Sequence, residues 1–282
     1  MKYLTRFAPS PTGYLHAGHA YSASLAYSYA YESQGRFILR LEDIDQTRCR
    51  PEFEEAIFED LSWIGLEWEQ PVRRQSDHLE DYASVLEKFH DRELIYPCFC
   101  TRAEITAEIN RSAGAPHGPD GPLYPGTCRH LSDDERAKQF ESGAPYALRL
   151  DMEAALKEKG TTPLYFEELD KGMIKADPAR FGDVVLARKE TPTSYHLSVV
   201  YDDALQGVNL VVRGQDLFEA THLHRLLQFL MDLPTPKYKH HGLVSDLKGR
   251  RLAKRDKSAT LRHMRGEGYT PEEVQKLIGF KK

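Results

Sequence analysis

The chain has 282 residues, 40% hydrophobic and 29% charged, with a formal net charge of −5. That length and mixture fit one large or two ordinary globular domains and exclude a disordered or fibrous chain. The negative balance excludes a uniformly basic nucleic-acid coat, the absence of any run of roughly 18 apolar residues excludes a membrane-spanning helix, and 4 cysteines are too few for a disulfide scaffold.

Met1-Lys2-Tyr3-Leu4-Thr5-Arg6 lacks the apolar core and cleavage site of a secretory leader, so the cytoplasm is expected. Charge is distributed unevenly. Between Pro51 and Val72 there are seven carboxylates and no Lys or Arg, whereas Pro236 to Arg265 carries ten Lys or Arg against Asp246 and Asp256. Such separation leaves room for a local polyanion-binding surface on an acidic protein, although a charge run is more often only a solvated face.

Lys2 to Phe7 alternates like a short strand, and Pro9-Ser10-Pro11-Thr12-Gly13 reads as a rigid turn. Ala17 to Ser33 reads as a helix stopped by Gly35, and Arg36 to Leu41 as an apolar strand ending in Glu42-Asp43. This β-α-β order is the unit of a doubly wound parallel sheet. Pro97 to Pro125 has little periodicity and holds three cysteines, and 111–122 is a loop. Further on, Ser132 to Ser142 reads as a polar helix and Tyr146 to Asp151 as a strand. Phe181 to Ala187, Ser194 to Val200 and Asn209 to Val212 also read as strands, and Leu217 to Met231 as a helix. The expected division is 1–95 and 186–235 as two halves of one sheet domain, 96–185 as an insert, and 236–282 as a loop and short helical segment.

Ligands of open α/β sheets collect beyond the carboxyl ends of the strands. Three strand ends carry polar groups there: Arg6 with Ser10, then Glu42, then Arg213 with Gln215 and Asp216. Each taken singly is more often surface than site; their shared sheet edge is the signal. After the first turn comes His16-Ala17-Gly18-His19. Histidines at i and i+3 share a helix face, and a helix start suits an anion such as phosphate. Gly18 would let a flat ring or sugar approach the backbone.

The run Arg6-Phe7-Ala8-Pro9-Ser10-Pro11-Thr12-Gly13 followed by His16-Ala17-Gly18-His19 closely resembles the signature of class I glutamyl-tRNA synthetases, the latter as the HIGH-type motif. The resemblance continues through Leu39 to Arg48, Gly182 to Leu186, Tyr195 to Ala204 and Val212 to Leu217. It ends at Arg251-Leu252-Ala253-Lys254-Arg255, in the place of the KMSKS-type loop. Only 27 residues follow Arg255 in the 282-residue chain, too few for the helical domains that read an anticodon. The pattern therefore looks like the truncated glutamyl-queuosine tRNA(Asp) synthetase family. The resemblance implies a Rossmann-like parallel sheet of the class I aminoacyl-tRNA synthetase type, with an inserted zinc-containing subdomain and no anticodon-binding domain. It also implies a ligase that activates L-glutamate with ATP, without tRNA, and transfers it to queuosine in the anticodon of tRNA(Asp). A monomer is expected, and no membrane partner.

Joining a carboxylate to the α-phosphate of ATP needs positioning and positive charge more than proton transfer. His16, His19 and Lys254 are the natural catalytic donors, with Gly18 beside them in the ATP site; magnesium is expected with the ATP, although no ligand set for it is legible. Correspondence with the family puts Arg6, Ala8, Ser10, Glu42, Tyr195 and Arg213 in the glutamate site. Glu42 suits the ammonium, and the arginines suit carboxylates. Ala253 stands where Ser is common in the loop, and His196 where Gln or Asn is expected.

Cys98, Cys100 and Cys128 lie in the least periodic stretch and suit a zinc ion that holds a loop-rich insert. Spacing alone makes His130 the first candidate for a fourth ligand, with His117 also conceivable. The family's Cys-x-Cys, Tyr-x-x-x-Cys pattern favours Tyr124, and three thiols without metal remain the plain alternative. Cys49 stands apart. Rival readings of the whole are a shortened glutamyl-tRNA synthetase charging the 3′ end of tRNA(Glu), a non-catalytic tRNA-binding relic, and a small-molecule nucleotidyltransferase.

Overall fold

The computed structural model describes residues 1–111, 117–119, 121–189, 191–242 and 260–280. Strand β1 (Leu4–Phe7), helix α1 (Ala17–Glu32) and strand β2 (Arg36–Leu41) form the expected β-α-β unit in which β1 and β2 pair in parallel, Leu4 opposite Arg36. Alanines at 17, 20, 23, 26 and 30 place a smooth, fully buried face of α1 against the sheet. The helix ends differently from the expectation at Gly35. The left-handed residue is Gln34 (φ 53°), and Gly35 is needed because an added Cβ would lie 1.9 Å from the Tyr3 carbonyl oxygen.

Helix α2 (Pro51–Trp63) leads to strand β3 (Glu69–Arg74), parallel to β2, and α3 (Leu79–Asp91) follows. Then come β4 (Ile95–Cys98), α4 (Arg102–Arg111), the two-residue strands β5 (His117–Gly118) and β6 (Gly121–Pro122), α5 (Asp133–Glu141) and β7 (Ala147–Leu150). The Ser132–Glu135 capping box starts α5, where no residue is buried. Helix α6 (Met152–Lys159) precedes a hairpin of β8 (Tyr165–Glu168) and β9 (Gly172–Lys175), and β10 (Val185–Arg188) follows. Strands β10, β7 and β4 make a separate antiparallel sheet.

The chain returns through α7 (Tyr195–Leu205), β11 (Leu210–Gly214), α8 (Ala220–Leu230) and β12 (Lys237–His241), then α9 (Leu261–Gly266) and α10 (Pro271–Leu277). Strand β11 lies beside β1, where Asn209 N–H donates to the Leu4 carbonyl at 3.1 Å. It pairs in parallel with β12, which pairs in parallel with β8. Strand β8 thus joins the large sheet although it lies in the middle of the chain.

Ser194 to Val200 is not a strand. Ser194 Oγ accepts Leu197 N–H and caps α7, whose Leu197, Ser198, Val199, Val200, Asp202 and Asp203 are all buried. A short helix buried on most sides has no polar stripe, so its sequence cannot be told from a buried strand. One apolar core packs α3, α7 and α8 together, and a second lies between α1, the β1–β2 edge, α2 and α9–α10. Among the described residues no helix is long and apolar enough to cross a membrane.

Candidate active site

The proline-rich turn after β1 is tied to its neighbours through the backbone: Glu42 N–H donates to Pro9 O at 3.0 Å and Arg50 N–H to Pro11 O at 3.0 Å. Ser10 is thereby held against Glu42 at one wall of a cleft of about 760 Å³, which Gln75, Tyr195 and His196 also line. Arg102, Tyr124 and Arg149 line the cleft as well. Ala8 is half-buried in the first turn residues.

Arg6 and Arg213 stand behind this wall, both buried. Asp203 grips Arg6 through Nε at 2.9 Å and Nη2 at 3.3 Å, and Arg6 Nη1 donates to Val212 O at 3.3 Å. The same carboxylate accepts Arg40 Nη2 at 2.8 Å, and that nitrogen also reaches Glu42 Oε1 at 3.3 Å. Burial alone would raise the Asp203 carboxyl, but Arg6 and Arg40 outweigh it and hold it below its ordinary value. For Glu42 the balance is reversed. Burial dominates and raises its carboxyl despite Arg40 and Arg6.

Arg213 Nη1 donates to the Tyr195 hydroxyl at 3.2 Å, and the phenol feels both the Arg213 cation and the Glu42 carboxylate. Burial comes first and raises the Tyr195 hydroxyl above its ordinary value. Glu42 and Tyr195 line the same cleft, and Arg213 stands against it through the Tyr195 hydroxyl.

His16 is the N-cap of α1. Its Nδ1 accepts Gly18 N–H at 3.1 Å, while His16 N–H donates to His19 Nδ1 at 3.2 Å. Both Nδ1 atoms act as acceptors, so each neutral ring carries its proton on Nε2. The rings stack with centroids 3.7 Å apart. An added Cβ on Gly18 would come within 3.0 Å of His16 Cε1, so the missing side chain also makes room for that ring. Thr260 forms a bridge with His16, and Leu261 N–H donates to Leu15 O at 2.8 Å. Lys254, and the Ala253 departure beside it, lie outside the described residues.

The sequence did not single out Asp202 and Asp203, although the signal was there: two adjacent carboxylates within an apolar run. Asp202 accepts Arg73 Nε, Gln75 Nε2 and Tyr82 Oη at 2.8–2.9 Å, and so ties β3 and α3 to α7. The described cations of the basic stretch are largely engaged as well. Lys237 pairs with Glu167, Lys239 with Asp170 and Arg265 with Glu59. The cations of the stretch from Lys248 to Lys257 lie outside the described residues.

The Sγ atoms of Cys98, Cys100 and Cys128 all lie within 4.8 Å of one another, a group able to hold a metal ion. Tyr124 Oη is 3.4 Å from Cys100 Sγ and accepts Cys128 N–H at 2.9 Å, and Phe99 N–H points at Cys128 Sγ at 3.4 Å. Burial opposes ionisation of Cys128, yet the Tyr124 hydroxyl and the Phe99 N–H outweigh it and bring that thiol below its ordinary value. His130 is exposed and outside the group, and the side chain of His117 lies outside the described residues. Cys49 stands apart from the cluster, with its thiol pushed up to about 11 by burial and then by Asp43.

The family model for tRNA synthetases class I (E and Q), catalytic domain, matches residues 2–280. The chain belongs to that family. As expected from its motifs, it is a ligase of the class I aminoacyl-tRNA synthetase type. It is 49% identical to a glutamyl-Q tRNA(Asp) synthetase of Rhodobacter capsulatus over 98% of this chain and 100% of the relative. It is also 38% identical to a glutamate–tRNA ligase of Aquifex aeolicus, covering 96% of this chain and 55% of that one. The crystal structure of a glutamate-tRNA synthetase from Elizabethkingia anophelis superposes with a TM-score of 0.75 at 27% identity, over 95% of this chain and 54% of that one. The chain thus spans about half the length of the glutamate-specific synthetases it matches. The class I catalytic domain accounts for the parallel pairings, and the strands of the antiparallel sheet, β4, β7 and β10, fall between β3 and β11 in sequence, an interval that also holds β8 of the parallel sheet.

Proposed function

We propose that this chain activates L-glutamate with ATP, without needing tRNA, to glutamyl-adenylate and pyrophosphate, and then transfers the glutamate to queuosine in the anticodon of tRNA(Asp). One observation carries the first step: Ser10, Glu42 and Tyr195 line one cleft, and Arg213 stands against the Tyr195 hydroxyl. An ammonium group fits Glu42, and a carboxylate fits the Tyr195–Arg213 end, reinforced by the field of Arg6. Ala8 and Ser10 are assigned to the amino-acid site on the family correspondence alone. The Nε2–H groups of His16 and His19, at the positive end of α1 with Gly18 between them, suit the phosphates of ATP. Lys254 is assigned to the leaving pyrophosphate on its motif alone, and magnesium is assigned to ATP as substrate. Such donors, already oriented, favour the charge that builds on the phosphates in the transition state.

The acceptor rests on the full-length match to the Rhodobacter capsulatus protein and its printed name. Zinc is assigned to Cys98, Cys100, Cys128 and Tyr124, since three thiols become soft thiolate ligands once they lose their protons to the metal, and the phenol would supply a harder oxygen as the fourth. Its contribution there is to hold the insert's fold. The proposed domains are 1–95 with 186–235, 96–185, and 236–282, in a cytoplasmic monomer.

The test is incubation with ATP and labelled glutamate, followed by tRNA(Asp) with or without queuosine, or tRNA(Glu). Label only on queuosine-containing tRNA(Asp) is expected. Label on tRNA(Glu) would instead identify a shortened glutamyl-tRNA synthetase, and no adenylate a tRNA-binding relic.

A further inference from the structure

Strand β7 pairs antiparallel with β10 through Val185 opposite Arg149, Ala187 opposite Leu148 and Arg188 opposite Ala147. Directly opposed residues share a face of the sheet, and so do residues two apart on one strand. Arg149 and Ala147 therefore lie on one face, and Val185 and Arg188 lie on it with them. In an unbroken strand residues 185 and 188 would point to opposite faces. The register shift between Val185 and Ala187 brings Arg188 round to the side of Arg149, at a diagonal position within reach of long side chains. Arg149, Val185 and Arg188 all line the cleft, and Arg102 at the start of α4 lines it too.

These cations are not neutralised by the protein. Arg102 and Arg188 are exposed and, among the described residues, enter no ion pair. Arg149 is held in place rather than paired: its guanidinium sits over the Tyr124 ring, 3.9 Å from the centroid, and Nη1 donates to the Asp183 carbonyl oxygen at 2.7 Å, while Nε is buried with no acceptor. The Asp183 carboxylate, which also lines the cleft, is buried and accepts Tyr96 Oη at 2.6 Å and Met152 N–H at 2.9 Å, with Arg129 at 3.5 Å. Its charge is matched already. Leu123 and Val184 join Val185 as half-buried apolar lining.

We propose that this part of the cleft binds an unpaired nucleotide of an RNA, its base against Leu123, Val184 and Val185 and its phosphodiester on Arg149 and Arg188, with Arg102 adding charge. A guanidinium meets a phosphate with two parallel N–H donors, and an apolar surface takes the ring face of any base. A base within a duplex keeps its ring faces stacked, so the nucleotide enters unpaired. The inference rests on the reading that the second substrate is a tRNA. It adds which residues hold that RNA in the cleft that Ser10, Glu42 and Tyr195 also line.

The test uses the full chain, queuosine-containing tRNA(Asp) carrying a fluorescent label, and the variants Arg149→Gln, Arg188→Gln and Arg102→Gln. Anisotropy gives the Kd for tRNA between about 50 and 200 mM salt, and glutamate-dependent ATP–pyrophosphate exchange is followed in parallel. Arg188 is exposed, so its variant should fold as the parent does, and thermal unfolding checks Arg149→Gln. Arg149→Gln and Arg188→Gln should each weaken tRNA binding about tenfold and make the slope of log Kd against log salt shallower by about 0.7 to 1, the mark of one lost phosphate contact. A merely structural role would leave that slope unchanged. Arg102→Gln should act in the same direction and less. The KM values for glutamate and ATP should move far less than the tRNA affinity. Unchanged slopes in folded Arg149→Gln and Arg188→Gln would overturn the inference. So would a raised KM for ATP with tRNA binding intact, which would give these cations to the triphosphate. If the unaltered chain charges tRNA(Glu) or forms no adenylate, the proposed function falls, while the slopes with whichever tRNA it binds still decide whether these arginines hold RNA. A chain that binds no tRNA removes both.

Discussion

Nη1 of Arg213 meets the Tyr195 hydroxyl at 3.2 Å, and through that phenol a buried cation on β11 is coupled to the cleft that Glu42 lines from the end of β2. Two strands far apart in sequence thus bring a carboxylate and, through Tyr195, a cation to one cleft. The consequences can be measured at each end.

At the cationic end, Arg213→Lys keeps the charge but cannot reproduce bonds to His240, Tyr195, His224 and Thr221 at once. The KM for glutamate in ATP–pyrophosphate exchange should rise about 10- to 100-fold, the cost of one or two charge-assisted bonds. A near-normal KM would remove Arg213 from the amino-acid site.

Asp203 is the joint between Arg6 and Arg40, all three of them buried. Asp203→Asn removes the charge that both guanidinium groups face, leaving them poorly compensated. Urea unfolding should show a loss of about 3–5 kcal/mol. Stability unchanged within error would mean that the two arginines find other partners.

Asp60 lies in α2 with neither oxygen hydrogen-bonded, and Arg265 is 3.7 Å away. Burial raises its carboxyl from 3.8 to about 6, only partly offset by Arg265. The folded chain therefore binds more protons than the unfolded chain between those values, and this residue makes stability fall as pH rises through that window. Asp60→Asn should stabilise the protein by about 1–3 kcal/mol at neutral pH, with the gain vanishing below about pH 4. Thermal unfolding across that range checks both the sign and the window.

Glu42 is raised in the same direction, so its negative charge is lost earlier on acidification than that of an ordinary carboxylate at 4.5. The KM for glutamate should already climb on acidification while the pH is still above 4.5, and Glu42→Gln should show a high KM with little of that dependence. A wild-type KM that stays flat down to that pH would separate Glu42 from the ammonium of the substrate.

For the cysteine group, elemental analysis of the purified chain should find about one zinc per molecule, and Cys128→Ser should lose it. Removal by a strong chelator should make the insert between 96 and 185 sensitive to protease while the β1–β2–β3 sheet stays protected. Tyr124→Phe should weaken retention of the metal, whereas His130→Ala should leave it unchanged.

Much of the site was legible in the linear chain because its signals are local. The turn from Pro9 to Gly13, the His16–His19 pair at a helix start, and the polar residues that follow β1, β2 and β11 need only neighbouring residues to be recognised, and the family match over residues 2–280 agrees with them. The Cys98, Cys100 and Cys128 group was likewise visible, and the structure brings the three sulfurs together. Misreadings arose where local pattern is ambiguous or packing decides. Helix α7 is buried on most sides and so lacks an amphipathic stripe, and Gly35 serves a close approach to Tyr3 that no helix-ending rule contains.

By itself, the order of residues determined which chemical groups are available, which strands carry them, and to which family the chain belongs. Only the tertiary structure decided what those groups do to one another. Asp203 claims Arg6, burial raises Glu42, and an arginine that can only donate makes His224 Nδ1 an acceptor. The reason is physical: charge state and tautomer depend on partners within a few ångströms and on exclusion of water, and both come from residues distant in sequence, as Arg6 and Asp203 are at 197 positions apart.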